Sequence, residues 1–372
     1  GLWQLRAIRA QEAWAALDLR WSGRPSERPR IRVGVYDGAM ATAHPDLAQN
    51  LEDDDPSEAL ATGFAWSLGL AHGVGMMGII GGTGAPGMIG AAPRSIMIPF
   101  HTLRAGRDTS LPAALSYFHA HAVRIANFAI AAAEPLGPAA AVREAAEAGT
   151  LVVTGLPNRN AESLSYPAAY PGVVTASGVD NQDEPAGFGW GDLVDVVAPG
   201  WGMPTTAAVL RFGTLGWGAP YGHQCCNSVA SALTTGAAAL ILESDPSLTS
   251  AQIEKRIKLS ARKTAGMRDA HGRPVRWHPR FGYGVLDAYG AVTLDQIGPD
   301  LQTSVIPEGR AALMVTVSAI DDILDAYLQP GRARDDHLRG VPTSNIAVVE
   351  YRTSPNAWQA VPLEPAEDPA SR

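Results

Sequence analysis

HGVGMMGIIGG, residues 72–82, decides how this chain is read. A histidine leads an apolar run in which glycine returns at positions 73, 75 and 78. The wider stretch, residues 74 to 100, is apolar enough to resemble a membrane span. It also holds many glycines, several prolines and Arg94, so it reads as a buried helix, a glycine-rich turn and a strand.

Upstream, IRVGVYDGA (31–39) alternates Ile31, Val33 and Val35 with Arg32, Gly34 and Tyr36, a strand pattern that Asp37-Gly38 stops. Further strands are predicted at 95–100, 123–130, 150–155, 173–178 and 193–200. Helical patterns fall between them at 111–121, 138–148, 228–243 and 250–260, the last opened by a capping box of Thr249 and Gln252. Near the N-terminus, Ala10, Ala13, Trp14 and Leu17 take helical spacing. This alternation predicts an α/β fold, three layers with a mostly parallel central sheet covered on both faces. Its chemistry belongs at the carboxyl ends of the strands, where Asp37 and Gly155 to Asn158 fall. After residue 292 the helical alternation stops. We expect the main domain to span residues 1–297, a small β-rich appendage 298–364, and a disordered tail 365–372.

The 372 residues carry a net charge of -8 and are 46% apolar, enough for one large domain with a smaller addition. Without a Lys/Arg cluster the chain offers no evident surface to nucleic acid or an anionic membrane, and no membrane span is expected. Cys225 and Cys226 are the only two cysteines, and they are neighbours. A bond between neighbours needs a strained ring, so neither a disulfide scaffold nor a redox compartment is inferred. A soft-metal site with His223 is also disfavoured, because adjacent ligands make a poor tetrahedral corner. The sequence starts at Gly1 with no initiator Met and no signal-type segment, leaving a removed presequence or a trimmed chain open.

Three residues in chain order could form a nucleophilic triad. Ser228 heads the apolar run NSVASALTTGAAAL (227–240), His72 heads the glycine-spaced helix, and Asp37 ends a strand. A hydroxyl becomes nucleophilic when an imidazole takes its proton and a carboxylate holds that imidazole. Singly, each has an ordinary use: a turn Asp, a structural His, an N-cap Ser. Their joint arrangement is the signal. The segments resemble the subtilisin-like serine peptidases, whose motifs run Asp-Thr-Gly, His-Gly-Thr-His-Val-Ala-Gly and Gly-Thr-Ser-Met-Ala-x-Pro-x-Val-Ala-Gly. Asp37, His72, Gly73, Gly78, Ser228, Ala230 and Gly236 fall on matching positions, and HPDL (44–47), DVVAPG (195–200) and GYGVLDA (282–288) extend the likeness.

That resemblance implies a serine endopeptidase acting on protein or peptide substrates through an acyl-enzyme, with no cofactor required. It implies an oxyanion donor at Asn158 and a substrate-binding edge at Ala129, Ile130 and Ala131, with Gly155 nearby, and a second edge around Arg104 to Asp108. An extracellular or cell-envelope location follows from the resemblance alone. Calcium is common in the family, yet the acidic run Asp53 to Asp55 lacks the spacing of a hard-cation loop. Departures gather around the oxyanion: Cys226-Asn227 replaces Gly-Thr, Pro157 replaces a Gly, and Ala39 replaces another. Asn227 is expected to donate through its side-chain amide. Two further readings stay open, a catalytically impaired peptide-binding scaffold and a ligase or macrocyclase that uses the same acyl-enzyme. Gly82 to Gly87 fits a dinucleotide fingerprint, but a helix precedes it instead of a strand.

Overall fold

The structure, a computed structural model, describes residues 2–38, 40, 44–52, 70–85, 87–102, 108–206 and 221–294, and as strands 300–308, 312–320, 349–354 and 357–361. The chain opens with α1 (Trp3–Ala7) and α2 (Ala10–Trp21), then alternates β1 (Arg32–Asp37), α3 (Leu70–Gly81), β2 (Ile96–His101), α4 (Leu111–Ala120), β3 (Ile125–Phe128), α5 (Ala139–Glu147) and β4 (Leu151–Gly155). There follow β5 (Val173–Val179), β6 (Val196–Pro199), a pair β7 (Met203–Thr206) and β8 (Tyr221–Gln224), then α6 (Asn227–Ser244), α7 (Ser250–Ser260) and α8 (Ala288–Val292). Last come β9 (Asp300–Glu308), β10 (Ala312–Ile320), β11 (Val349–Ser354) and β12 (Ala357–Val361).

Six strands form one parallel sheet in the order β2-β1-β3-β4-β5-β6. Successive side chains of a strand point to opposite faces, and the two cores follow from that. Val33 and Val35 of β1, with Leu151 and Val153 of β4, face α3 and α6. Tyr36 of β1 and Val152 of β4 face α4 and α5, through Phe118 and Val142. Helices thus cover both faces, giving the three-layer α/β/α architecture expected from the alternation.

α6 is buried along its whole length, as its nearly uninterrupted small and apolar residues require. Each fully buried Leu, Ile or Val contributes about 1.5–3 kcal/mol relative to exposure. The capping box on α7 is present: Thr249 Oγ1 accepts from the Gln252 N–H (3.3 Å) and Gln252 Oε1 accepts from the Thr249 N–H (2.8 Å).

Two strands are shorter than the sequence pattern suggests. The run 123–130 is strand only over Ile125–Phe128, because Ala129 to Ala131 leave the sheet; the run 193–200 begins at Val196. The β7–β8 antiparallel pair was not anticipated, since its short polar and Pro-containing segments show no alternation. β9–β10 and β11–β12 are antiparallel pairs within the stretch read as β-rich, and residues 362–372 lie outside the described residues. No helix among the described residues is long and apolar enough to cross a membrane.

Candidate active site

Strand order reverses at β1: the chain goes outward to β2, then returns past β1 to β3. Such a reversal opens a crevice beyond the carboxyl ends of the strands. Asp37 is the last residue of β1, and Ala129 to Ala131 directly follow β3, so both border that crevice. Asp37 is buried; its Oδ1 accepts the Gly38 N–H (2.7 Å) and its Oδ2 lies 2.7 Å from His72 Nδ1. A carboxylate there favours the tautomer with hydrogen on Nδ1, leaving Nε2 able to accept a proton. Burial pushes the His72 pKa down, but the hydrogen bond and negative charge of Asp37 together outweigh it, and the net shift is upward from 6.5.

Glycine at 73 has a local reason. A Cβ there would press on the Met40 side chain and sit 2.9 Å from the Asp37 Cβ, so only glycine lets the start of α3 approach the carboxylate this closely. β7 holds the same turn from the other side, where Thr205 Oγ1 donates to Gly75 O (2.6 Å) and Thr206 Oγ1 to Val74 O (2.7 Å).

Ser228 is the second residue of α6, where amides have no intrahelical partner and the helix dipole favours negative charge. Before it, Cys226 takes a positive-φ conformation (φ 83°, ψ -168°) that glycine adopts freely, so the backbone keeps a glycine's shape under a cysteine. Cys225 and Cys226 are joined to each other as a disulfide. Cys225 is exposed and Cys226 half-buried.

Asn227 requires a correction. Its side chain was expected at the oxyanion, but it is buried and engaged: Nδ2 donates to Leu156 O (2.8 Å) and Pro157 O (3.2 Å), and Oδ1 accepts from the Gly178 N–H (2.8 Å). It ties the start of α6 to β5 and to the loop after β4, and no amide hydrogen is left for an oxyanion. Asn158 differs. Its Oδ1 accepts the Asn227 N–H at 2.9 Å, which fixes the amide and leaves its Nδ2 end as the donor. Gly155, ending β4, is needed for close approach, since a Cβ there would lie 2.6 Å from Asn227 O.

A cavity of about 230 Å³ collects these groups: Ser228 and Asn158 line it with Ala129, Ile130, Ala131, Gly155, Leu156 and Pro157. The four residues predicted to contact substrate therefore surround the same space. Ser228 Oγ makes its hydrogen bond to Ala129 O at 3.4 Å and none to His72. The second predicted edge falls mainly on residues 103–107, which lie outside the described residues, as do Asp53 to Asp55, Pro86 and Ala39. Among the described residues no group of three or more His, Cys, Asp or Glu is placed to hold a metal ion.

Residues 29–284 of the 372 match the model of the subtilase family of S8 peptidases. The chain belongs to the subtilase family. It is 28% identical over 241 residues to Subtilisin BL of Lederbergia lenta, a match covering 62% of this chain and 83% of that protein. It is equally similar, 28% over 241 residues, to an alkaline protease of Alkalihalobacillus alcalophilus, where the match covers 62% of this chain and 59% of the relative. The chain thus spans less than two thirds of that protease's length. The psychrophilic subtilisin-like protease Apa1 of Pseudoalteromonas sp. AS-11 has the same fold, with a TM-score of 0.62, 14% identity, and coverage of 79% of this chain and 98% of that one. Membership of the subtilase family supports serine peptidase activity.

Proposed function

We propose that this subtilase is an endopeptidase in which Ser228 attacks the scissile carbonyl, His72 carries the proton and Asp37 orients His72. The observation that carries the proposal is the 2.7 Å contact from the buried Asp37 carboxylate to His72 Nδ1. It presents Nε2 as a base whose proton affinity is raised where a base needs it.

In this reaction the Ser228 hydroxyl exchanges Ala129 O for the imidazole, a contact that commonly tightens only when substrate binds. Oγ then bonds to the carbonyl carbon as its proton passes to Nε2. Asn158 Nδ2 and the Ser228 N–H stabilise the oxyanion, and the proton leaves on the departing amine. Water repeats the sequence on the acyl-enzyme and regenerates Ser228. The substrate pairs as an added strand along Ala129 to Ala131.

Labelling of the folded chain by a fluorophosphonate probe, with the modified residue mapped, tests this reading. Modification confined to Ser228 and lost in Ser228→Ala is expected; equal labelling of the two proteins refutes it. One observation favours a second reading, the impaired peptide-binding relative: the Ser228 hydroxyl is bonded to Ala129 O and not to His72. Peptide binding without turnover, unchanged by Ser228→Ala, would select that alternative.

A further inference from the structure

Cys225 and Cys226 are the whole of the link between β8 (Tyr221–Gln224) and α6 (Asn227–Ser244). They are bonded to each other, and Cys225 is exposed. We propose that this pair is a redox modification site for dithiols and disulfides, and that its reduced form acylates Ser228 more slowly. The inference rests on Ser228 being the nucleophile.

The link holds both sides of the site. Cys226 N–H donates to Gly200 O (2.6 Å), and Cys226 O accepts from Val229 N (3.1 Å) and Ala230 N (3.4 Å), so this one residue anchors the first turn of α6. The next residue gives its N–H to Asn158 Oδ1 and sets the oxyanion amide. On the other side, β8 pairs with β7, whose two threonines hold the turn of α3 that carries His72. A displacement of the link therefore alters the position of Ser228 relative to both His72 and Asn158.

Cys226 occupies a conformation (φ 83°) that disfavours every residue with a Cβ. In the oxidised form the Sγ–Sγ bond closes a ring through the 225–226 peptide and restricts the dihedrals of the link. Once that bond is cut, nothing covalent keeps a β-carbon residue in glycine's region, and relaxation moves the start of α6. Misplacing reacting atoms by about 1 Å costs on the order of a hundredfold in rate, so even partial relaxation is expected to slow acylation about tenfold.

The exchange balances. A thiolate of the external dithiol attacks the Sγ of the exposed residue Cys225, and the Cys226 Sγ leaves with the electron pair and takes a proton. The second thiol of the reductant then attacks the mixed disulfide, which releases Cys225 as a thiol and the reductant as its own disulfide. Two electrons and two protons pass to the protein, and a disulfide oxidant reverses the step.

The test follows fluorophosphonate labelling of the full chain before and after dithiothreitol, with alkylation and mass measurement of the 225–226 peptide to establish complete reduction. Hydrogen exchange at residues 226–230 is recorded alongside. Labelling of the native chain should slow about tenfold on reduction and recover on reoxidation, and exchange at 226–230 should rise. A Cys225→Ser, Cys226→Gly variant, with glycine restored at the positive φ, should lose the response to reductant in both readouts. An unchanged labelling rate with unchanged exchange after complete reduction overturns the proposal, as does a variant that still responds to dithiothreitol. Should no form label at Ser228, the catalytic reading fails on its own and hydrogen exchange decides the redox site: a rise on reduction supports it, no change overturns it.

Discussion

His72 shows how one residue couples burial, charge and rate. Burial alone would lower its pKa, and Asp37 reverses the sign, so half-protonation falls above 6.5. In the proposed role of general base His72 works only when neutral, so the acid limb of the kcat/KM profile should have its midpoint above 6.5. Asp37→Asn removes the opposing charge and leaves the burial: the midpoint should move below 6.5 and kcat should fall by about 10⁴. The stability sign is the reverse of the activity sign. The folded state binds this proton more tightly than the unfolded chain, so the stabilisation is fully present below 6.5 and is lost as pH rises through the raised value. Denaturation midpoints of the native and Asp37→Asn chains across that window measure it. On the proposed oxyanion role, Asn158→Ala should lower kcat about 10²–10³-fold with little change in KM, the magnitude being that of losing the oxyanion asparagine in subtilisin itself. Steady-state kinetics on a peptide ester separate the two constants. Asp37, His72 and Ser228 were legible as candidates because a strand end, a glycine-spaced helix and a helix start are periodic features, and Asn158 only through the resemblance to the subtilisin-like peptidases. The role of Asn227 was not, because the direction of its side chain depends on the carbonyls of Leu156 and Pro157, which the fold brings to it.

α6 and α7 illustrate what patterning reveals about elements and what it leaves hidden. The apolar run after Ser228 announces a buried helix, and the Thr249–Gln252 box announces the start of the next. The charges on the inner face of α7 have no such announcement. Lys258 and Glu254 are both buried, with Nζ 2.7 Å from Glu254 Oε1 and 3.4 Å from Asp195 Oδ1. The other carboxylate oxygen of Asp195 accepts the Thr175 N–H at 2.7 Å, which ties this ion cluster to β5 just before β6 begins. Spacing places Lys258 and Glu254 on one helix face, but only the packed sheet supplies Asp195. Lys258→Met would leave two buried carboxylates without that cation, and it should destabilise the chain by about 3–5 kcal/mol. Urea unfolding of the two proteins checks it, and a loss below about 1 kcal/mol, the size expected of an exposed pair, would contradict this account. The β7–β8 pair stayed unread for a related reason: segments this short are held by what they clamp, here the turns of α3, and not by alternation of their own.

The molecule closes on itself where its two ends of helix meet. The segment between α7 and α8 returns to the β6 edge, with Tyr283 N–H donating to Asp195 O (2.7 Å) and Leu286 N–H to Val197 O (2.7 Å). Asp287 then caps α8 by accepting the Gly290 N–H (2.8 Å), and its other oxygen pairs with Arg9 at 2.8 Å. Ala288 N–H donates to Ile8 O (2.8 Å), so the N-terminal helices dock on α8 and share its core with α6. The likeness of GYGVLDA (282–288) to the family was visible in the sequence, but not that these residues cover the β6 edge and receive the N-terminus, a contact between segments nearly the whole domain apart. A boundary test follows from this closure. A chain ending at residue 297 keeps every one of these contacts and should unfold cooperatively and label at Ser228 like the full chain. A chain ending at residue 281 loses the strand-edge cover, the Arg9–Asp287 pair and α8 together, and leaves the β6 edge open to pairing with other chains. It should aggregate or unfold at low denaturant and fail to label. If instead the 281-residue chain labelled at the native rate, closure through residues 283–292 would contribute nothing to the site, and the subtilase unit would have to end earlier than the packing indicates.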